Sequence, residues 1–223
     1  MAFIVAIDGP AGSGKGTITK IVGKKMNLIN IDTGAMYRCV TLECLNNNIK
    51  SDEIEKISSI LENIDIQLKK ENGKELVFLN KKDVTEEIRS VEVSSNVANF
   101  AAIKCIRDKM TPIQREMGKT QNIIMEGRDI GTTVFPNADV KIYLDCSIEE
   151  RARRRYKQNL EKGIEQTYEE VLKNIKERHK SETERELSPL VIADDAIYID
   201  TTTLSIDEVV EKIVSIIKDK IFN

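Results

Sequence analysis

Gly9-Pro10-Ala11-Gly12-Ser13-Gly14-Lys15-Gly16-Thr17 follows the apolar run Phe3-Ile4-Val5-Ala6-Ile7 and leads into a helix-like segment. Strand, glycine-rich turn and helix in that order are the setting of a phosphate-binding loop. The glycines let the backbone turn tightly and aim successive N–H groups at one point, which makes an anion-binding nest. The following helix adds its positive N-terminal end, and Lys15 supplies a mobile full charge for the outer phosphates of a nucleotide. The plain alternative is a glycine-rich turn that happens to hold a lysine. Four glycines in the stretch, flanked by a strand and a helix, argue against it. One position departs from the general pattern G-x-x-x-x-G-K-[ST]: Gly16 stands where a hydroxyl is asked for, and Thr17 comes next.

Outward from the loop, Ile18, Ile21 and Val22 recur on one face of a helix over residues 15–25. Leu28-Ile29-Asn30-Ile31 is a second strand, ending at Asp32-Thr33-Gly34, and a helix carrying Met36, Tyr37, Arg38 and Val40 follows. Asn46-Asn47-Asn48 ends it, and Ser51 is expected to cap a helix with Ile54, Ile57 and Leu61 inward. The period then drops to two. Ile64, Ile66 and Leu68 alternate with polar residues, Asn72-Gly73 supplies a tight turn and Glu75-Leu76-Val77-Phe78-Leu79 returns. That hairpin reads as a small insertion over about residues 63–88. Helical sequence resumes over residues 91–118, where Pro112 is expected to kink or divide it.

Residues 122–125, 140–144 and 196–199 complete a set of five short apolar strands. Ser147-Ile148-Glu149-Glu150, Thr167-Tyr168-Glu169-Glu170 and Ser205-Ile206-Asp207-Glu208 read as capping boxes opening the intervening and final helices. Strands separated by helices predict an α/β fold: a five-stranded parallel sheet covered by helices on both faces. Ligands of such sheets sit at the carboxyl ends of the strands. The distinctive residues fall there, in the loop, at 32–38, at 126–129 and in the helix after Asp145.

Composition narrows the class. A chain of 223 residues buries a substantial core, and the expected organisation is one domain with insertions. A net charge of −3 gives no basic field for nucleic acid. No apolar run approaches the ~20 residues of a membrane span, and no signal peptide is visible, so a cytoplasmic location is expected. Cys39, Cys44, Cys105 and Cys146 form no C-x-x-C pair and read as small hydrophobes in a reducing compartment. With His179 the only histidine, mechanisms built on histidine triads or histidine-ligated metals have little to stand on.

Phosphoryl transfer asks mainly for positive groups around the moving phosphate. Arg38, Arg107, Arg128, Arg151, Arg153, Arg154, Arg155, Arg178 and Arg185 are candidates, since a guanidinium fork grips phosphate oxygens in two bonds and stays charged. Arg151, Arg154 and Arg155 share one helix face. A solvated surface balanced by Glu149 and Glu150 is the bland reading of that face, and a lid that closes over a nucleotide is the functional one. An alcohol acceptor normally needs a carboxylate base. A phosphate monoester does not, being largely dianionic at neutral pH. Asn80-Lys81-Lys82-Asp83 imitates the N-K-x-D of GTPase switches, but no D-x-x-G precedes it, and after a hairpin strand these are ordinary turn residues.

These residues together resemble the bacterial cytidylate kinases, over essentially the whole chain. The resemblance is carried by Ile7-Asp8 with the loop, by Asp32-Thr33-Gly34-Ala35-Met36-Tyr37-Arg38, by Gly127-Arg128-Asp129-Ile130-Gly131-Thr132 and by Lys176-Glu177-Arg178. G-K-G-T is what nucleoside monophosphate kinases commonly show at the end of the loop. The resemblance implies a P-loop NTPase fold and transfer of the γ-phosphoryl group of ATP to CMP or dCMP. It also implies Mg²⁺ held mainly through phosphates and water, and a monomer of one kinase domain. It would make residues 63–88 the monophosphate-binding insertion and residues 147–166 a helical lid. Gly9, Pro10, Ala11, Gly12, Ser13, Gly14, Lys15, Gly16 and Thr17 would hold ATP, with Lys15, Arg128 and Arg154 catalytic. Thr33, Arg38, Arg107, Glu126, Arg128, Asp129, Arg178, Glu182 and Arg185 would bind the acceptor. Glu126 and Glu182 stand where the family usually has aspartate, one methylene shorter. A kinase for UMP or shikimate, and a nucleotide-dependent switch, remain the alternatives at this point.

Overall fold

The structure is a computed structural model and describes residues 2–71, 74–161 and 163–222. The strands β1 (Ile4–Asp8), β2 (Ile29–Asp32), β6 (Ile123–Gly127), β7 (Val140–Asp145) and β8 (Ile197–Asp200) form one sheet in the order β2-β6-β1-β7-β8. β1 lies between β6 and β7, parallel to both, with Ile7 opposite Glu126 and Ile142. This is the expected parallel sheet of a P-loop NTPase fold. Because the chain leaves β1 for β2 on one side and reaches β7 on the other, a crevice opens at the carboxyl end of β1.

The central strands β1, β6 and β7 read as apolar runs because they are buried on both faces: Val5, Ala6 and Ile7 are almost wholly excluded from solvent. Helices α1 (Lys15–Met26) and α8 (Ile206–Phe222) lay Ile18, Val22, Val209, Val210, Ile213 and Ile217 against the sheet. Helices α6 (Ile148–Glu161) and α7 (Tyr168–Glu184) pack on each other through Ala152, Val171 and Ile175, with Tyr156 edge-on to Tyr168.

The chain separates into two compact units, one formed by residues up to Ile31 and from Met117 onward, the other by Asp32–Glu116. The second unit is larger than the hairpin insertion expected from the sequence. Its antiparallel sheet, β3 (Ile66–Glu71), β4 (Lys74–Leu79) and β5 (Lys82–Asp83), is too small to bury a face alone. Helices α2 (Thr33–Asn46) and α4 (Val91–Ala101) complete its core, where Ala35, Cys39, Leu42 and Val93 meet Val77, Leu79, Val84 and Ile88. The turn residues Asn72 and Gly73 lie outside the described residues. Asn80 and Lys81 take left-handed φ values of 49° and 69° and lead into β5, so the N-K-x-D resemblance is hairpin chemistry.

Three local expectations are corrected. Ser51 does not cap α3 (Ile54–Asn63); Glu53 occupies that position, and its carboxylate accepts from the Lys50 N–H. The long helix divides at Ala102–Ile103, giving α4 and α5 (Lys104–Met117), and Pro112 is carried inside α5. The box at Ser147 closes on one side only. Its hydroxyl accepts from Glu150 N–H, while its own N–H donates to Thr202 Oγ1, because the Glu150 carboxylate is taken by Arg153 and Arg154. The boxes at Thr167 and Ser205 close on both sides.

Candidate active site

The loop follows β1, and its first glycine has no substitute. Gly9 has φ 148°, and a Cβ there would stand 2.0 Å from the Leu144 carbonyl oxygen. Gly14 is the N-cap of α1 at φ 93°, with no side-chain cap and no acidic residue in the first turn. The start of α1 is thereby left to attract an anion. Lys15 is buried, and its Nζ donates to the Pro10 carbonyl at 2.7 Å, folded back across the loop it would serve. Burial, and then the Arg128 charge, push its pKa down to about 7, against the pull of Glu126, Glu182 and Asp8.

Behind the loop stands Arg151, 2% exposed, donating through Nε to the Cys146 carbonyl and through Nη1 toward Ala11 O at 3.5 Å. A Cβ on Gly12 would meet its Cβ at 3.1 Å. Arg151 is thus a buttress under the loop, neither a solvated charge nor part of an open lid face. Arg154, one turn on, does face the loop. Its Nη2 donates to Thr201 O at 2.7 Å and its Nε to Glu150, and its Nη1 lies 3.7 Å from where a Gly14 Cβ would be. Thr201 in turn donates to Ser13 O or Asp145 O, so the end of β8 closes the loop's far side.

At the end of β6 the chain turns through Arg128 and Asp129 into a π-helical turn over Ile130–Val134. Asp8, at the end of β1, holds that turn. Its two carboxylate oxygens accept from the Ile130 and Gly131 N–H groups at 2.8 and 2.7 Å. Burial pushes its pKa up to about 6 despite those two bonds. Arg128 Nε donates to Glu182 Oε2 at 2.9 Å and Arg178 Nε to Glu182 Oε1 at 2.8 Å, so one buried carboxylate clamps two guanidinium groups. Burial alone would raise the Glu182 pKa, but the two arginines hold it well below the usual carboxylate range. Arg185 approaches Asp129 Oδ1 at 4.0 Å and donates to Ser188 O. Glu126 lies against the loop side of this group, 3.4 Å from Thr19 Oγ1.

The remaining expected residues belong to the second unit. Asp32 accepts from Ala35 N–H as the N-cap of α2 and pairs with Arg38 at 2.8 Å, which holds the guanidinium against Gly34. Arg107 is buried, lies over the Tyr37 ring and donates to Ala101 O. Sequence reasoning gave no role to Asp8 or Thr201, and it placed Arg151 on a phosphate-gripping or lid face instead of beneath the loop. Asp8 carried a signal, since a carboxylate ending a fully apolar strand has to be answered by donors. The buttress role of Arg151 carried none, because which of four arginines in five positions is buried is decided by packing.

A family model described as "Cytidylate kinase" matches residues 5–219. The chain belongs to the cytidylate kinase family. Among curated members, the cytidylate kinase of Caldicellulosiruptor saccharolyticus is 50% identical over 212 residues, covering 95% of this chain and 94% of that one. That of Fusobacterium nucleatum is 50% identical over 208 residues, covering 93% and 94%. That of Bacillus subtilis is 46% identical over 216 residues, covering 97% and 96%. The solved structure of an uncharacterized protein from Eubacterium ventriosum superposes with a TM-score of 0.52 at 10% identity, covering 97% of this chain and 98% of that one. At that identity the likeness concerns the fold.

Proposed function

We propose that this chain is an ATP-dependent (d)CMP kinase, transferring the γ-phosphoryl group of ATP to the phosphate of CMP or dCMP. The observation that carries the reading is the Arg128–Glu182–Arg178 clamp, whose Arg128 follows β6, the strand paired with the one that carries the loop. A second phosphate is what a pair of preset guanidinium groups beside a phosphate loop suits, and such an acceptor needs no general base. Catalysis is by positioning and charge neutralisation in an in-line transfer. Residues 9–17 hold the phosphates of ATP, Lys15 neutralises charge on the moving group, and Arg154 covers the loop from the Thr201 side. Arg128, with Arg178 and Arg185, holds the acceptor phosphate. Family resemblance assigns Thr33, Arg38 and Arg107 to the acceptor and Asp129 to its sugar. It also makes residues 63–88 the monophosphate-binding insertion and residues 147–166 the lid of a single kinase domain.

Mg²⁺ fits the donor chemistry as an ion held mainly through phosphates and water. Gly16 offers no hydroxyl after the lysine, and among the described residues no group of three or more His, Cys, Asp or Glu side chains could hold a metal. When bound, the ion would neutralise phosphate charge. We read the protein as a cytoplasmic monomer acting on small molecules, in keeping with its four free thiols, three of them buried, and its net charge of −3. A nucleotide switch would hydrolyse ATP slowly whether or not CMP is present. The test is ADP release with and without CMP for the wild type and Arg128→Ala. A kinase releases ADP in step with added CMP and loses at least about tenfold in kcat/KM for CMP in the variant. ADP release that ignores CMP, or an unchanged Arg128→Ala enzyme, would contradict the proposal.

A further inference from the structure

The π-helical turn that follows Asp129 is capped from another strand. Its own hydrogen bonds begin with Thr133 and Val134, which donate to Asp129 O, and continue with Phe135, which donates to Ile130 O. The N–H groups of Ile130 and Gly131 come before any carbonyl the turn can offer them. An aspartate placed just ahead of a helical turn ordinarily accepts such bonds with its own carboxylate. Asp129 holds that place and makes no cap bond. Asp8 makes both instead, from the end of β1, with Oδ1 2.8 Å from Ile130 N and Oδ2 2.7 Å from Gly131 N. The capped residues are packed where they stand. Ile130 is buried, and a Cβ on Gly131 would meet Lys141 Cδ at 3.1 Å and Asp8 Oδ2 at 3.4 Å. Lys141 is tied in turn, its Nζ donating to Asp195 Oδ1 at 2.7 Å. The Asp129 carboxylate, relieved of capping, lies 4.0 Å from Arg185 Nη2.

We propose that Asp8 is a positioning residue for the acceptor nucleotide: it caps the turn in place of Asp129, so that the Asp129 carboxylate and the Arg128 guanidinium are presented to CMP. Asp8 immediately precedes Gly9, so one residue carries the phosphate loop on its main chain and the acceptor turn on its side chain. The role rests on the reading of Asp129 as the residue that holds the sugar of CMP. It also depends on charge. An ionised carboxylate offers an accepting oxygen to each N–H, whereas a protonated one turns a donor toward one of them. Burial pushes the Asp8 pKa up to about 6. The groups that bear on it are Lys15 at the start of α1, Asp129 in the turn, Arg128 just past β6 and Tyr143 on β7, while Lys141, also on β7, carries its charge away to Asp195.

Calorimetric titrations with CMP alone and with ATP alone read the two sides of the site separately. At about pH 7, Asp8→Asn is expected to weaken CMP binding about tenfold while ATP affinity stays within about threefold. Gly131→Ala keeps every charge and crowds the Asp8 carboxylate instead; it should weaken CMP about threefold, and it carries the test where Asp8→Asn does not fold. In an Asp129→Asn background, Asp8→Asn should cost less than about threefold further, because the residue it positions has already lost its charge. A merely structural role would give the same loss in both backgrounds. The ratio of Asp8→Asn to wild-type Kd for CMP should be near tenfold above about pH 7 and approach one by about pH 5, as the wild-type carboxylate takes up its proton. The titration of the CMP phosphate is common to both proteins and cancels. CMP affinity unchanged in Asp8→Asn and Gly131→Ala, or additive losses with Asp129→Asn, would overturn the proposal. So would an equal loss of ATP affinity, which would assign Asp8 to the loop. A wild type that binds ATP and no CMP would overturn the proposed acceptor and the inference with it.

Discussion

Lys15 is held on its own loop, with Nζ on Pro10 O and a pKa pushed down to about 7 by burial and by Arg128. Bound phosphates add negative charge and raise that pKa, so ATP binding takes up a proton when the free protein has lost it. The sign follows: below about pH 7 Lys15 is already charged and ATP affinity is flat, while above it affinity falls by up to about tenfold per pH unit. Calorimetry in two buffers of different ionisation enthalpy between pH 7 and 9 should show proton uptake; no uptake would mean that Lys15 does not meet the phosphates. Glu182 has the opposite sense. Its depressed pKa stabilises the fold above the ordinary carboxylate value and ceases to do so as pH falls through the folded value. Removing it in Glu182→Ala leaves two clamped arginines without their counter-charge. Each of these keeps about a fifth of its side-chain surface in water, so the expected loss is about 3 kcal/mol, at the low end for a broken buried pair. In urea unfolding, the gap from wild type should be constant above about pH 5.5 and shrink as pH falls further. The candidate residues Arg128, Arg178 and Glu182 were legible from motif and spacing. The Arg178–Glu182 half of their clamp is a local pair one helical turn apart, but the Arg128–Glu182 half was not legible, because it joins positions 54 residues apart through tertiary packing.

At the scale of elements, the loop is shaped by neighbours on both sides. Gly9→Ala puts a methyl group on the Leu144 carbonyl and should abolish ATP binding or folding, read by nucleotide titration and circular dichroism. Arg151 ties the start of α6 to the loop through Cys146 O and Ala11 O, so lid motion, in our reading, begins beyond it in α6. Arg151→Ala is therefore expected to lower Tm by several degrees and weaken ATP binding at least about fivefold, with a smaller effect on CMP binding. An ATP affinity unchanged in a folded variant would contradict the buttress. The strands were legible because buried parallel strands are continuous apolar runs. The break between α4 and α5 was not: Ala101-Ala102-Ile103 carries no glycine or proline, whereas Pro112, the obvious punctuation, is tolerated within the helix. Ser51 failed as a cap because Glu53 reaches back to the Lys50 N–H and begins the helix later.

For the molecule as a whole, the alternation of strand and helix was enough to read a parallel sheet with the distinctive residues at its carboxyl ends, while the strand order β2-β6-β1-β7-β8 came only with the structure. The size of the second unit was harder to read. A hairpin is conspicuous in sequence, while the helices α2 and α4 that give it a core look like any other amphipathic helices of the chain. What the two units accomplish is most directly tested by coupled assay of ADP release from ATP across CMP, dCMP, UMP and AMP. The account predicts that kcat/KM is highest for CMP and dCMP and lower by at least about tenfold for UMP and AMP, since a site built for one base's hydrogen bonds leaves polar groups unpaired with another. A protein that worked best with UMP or AMP would contradict it.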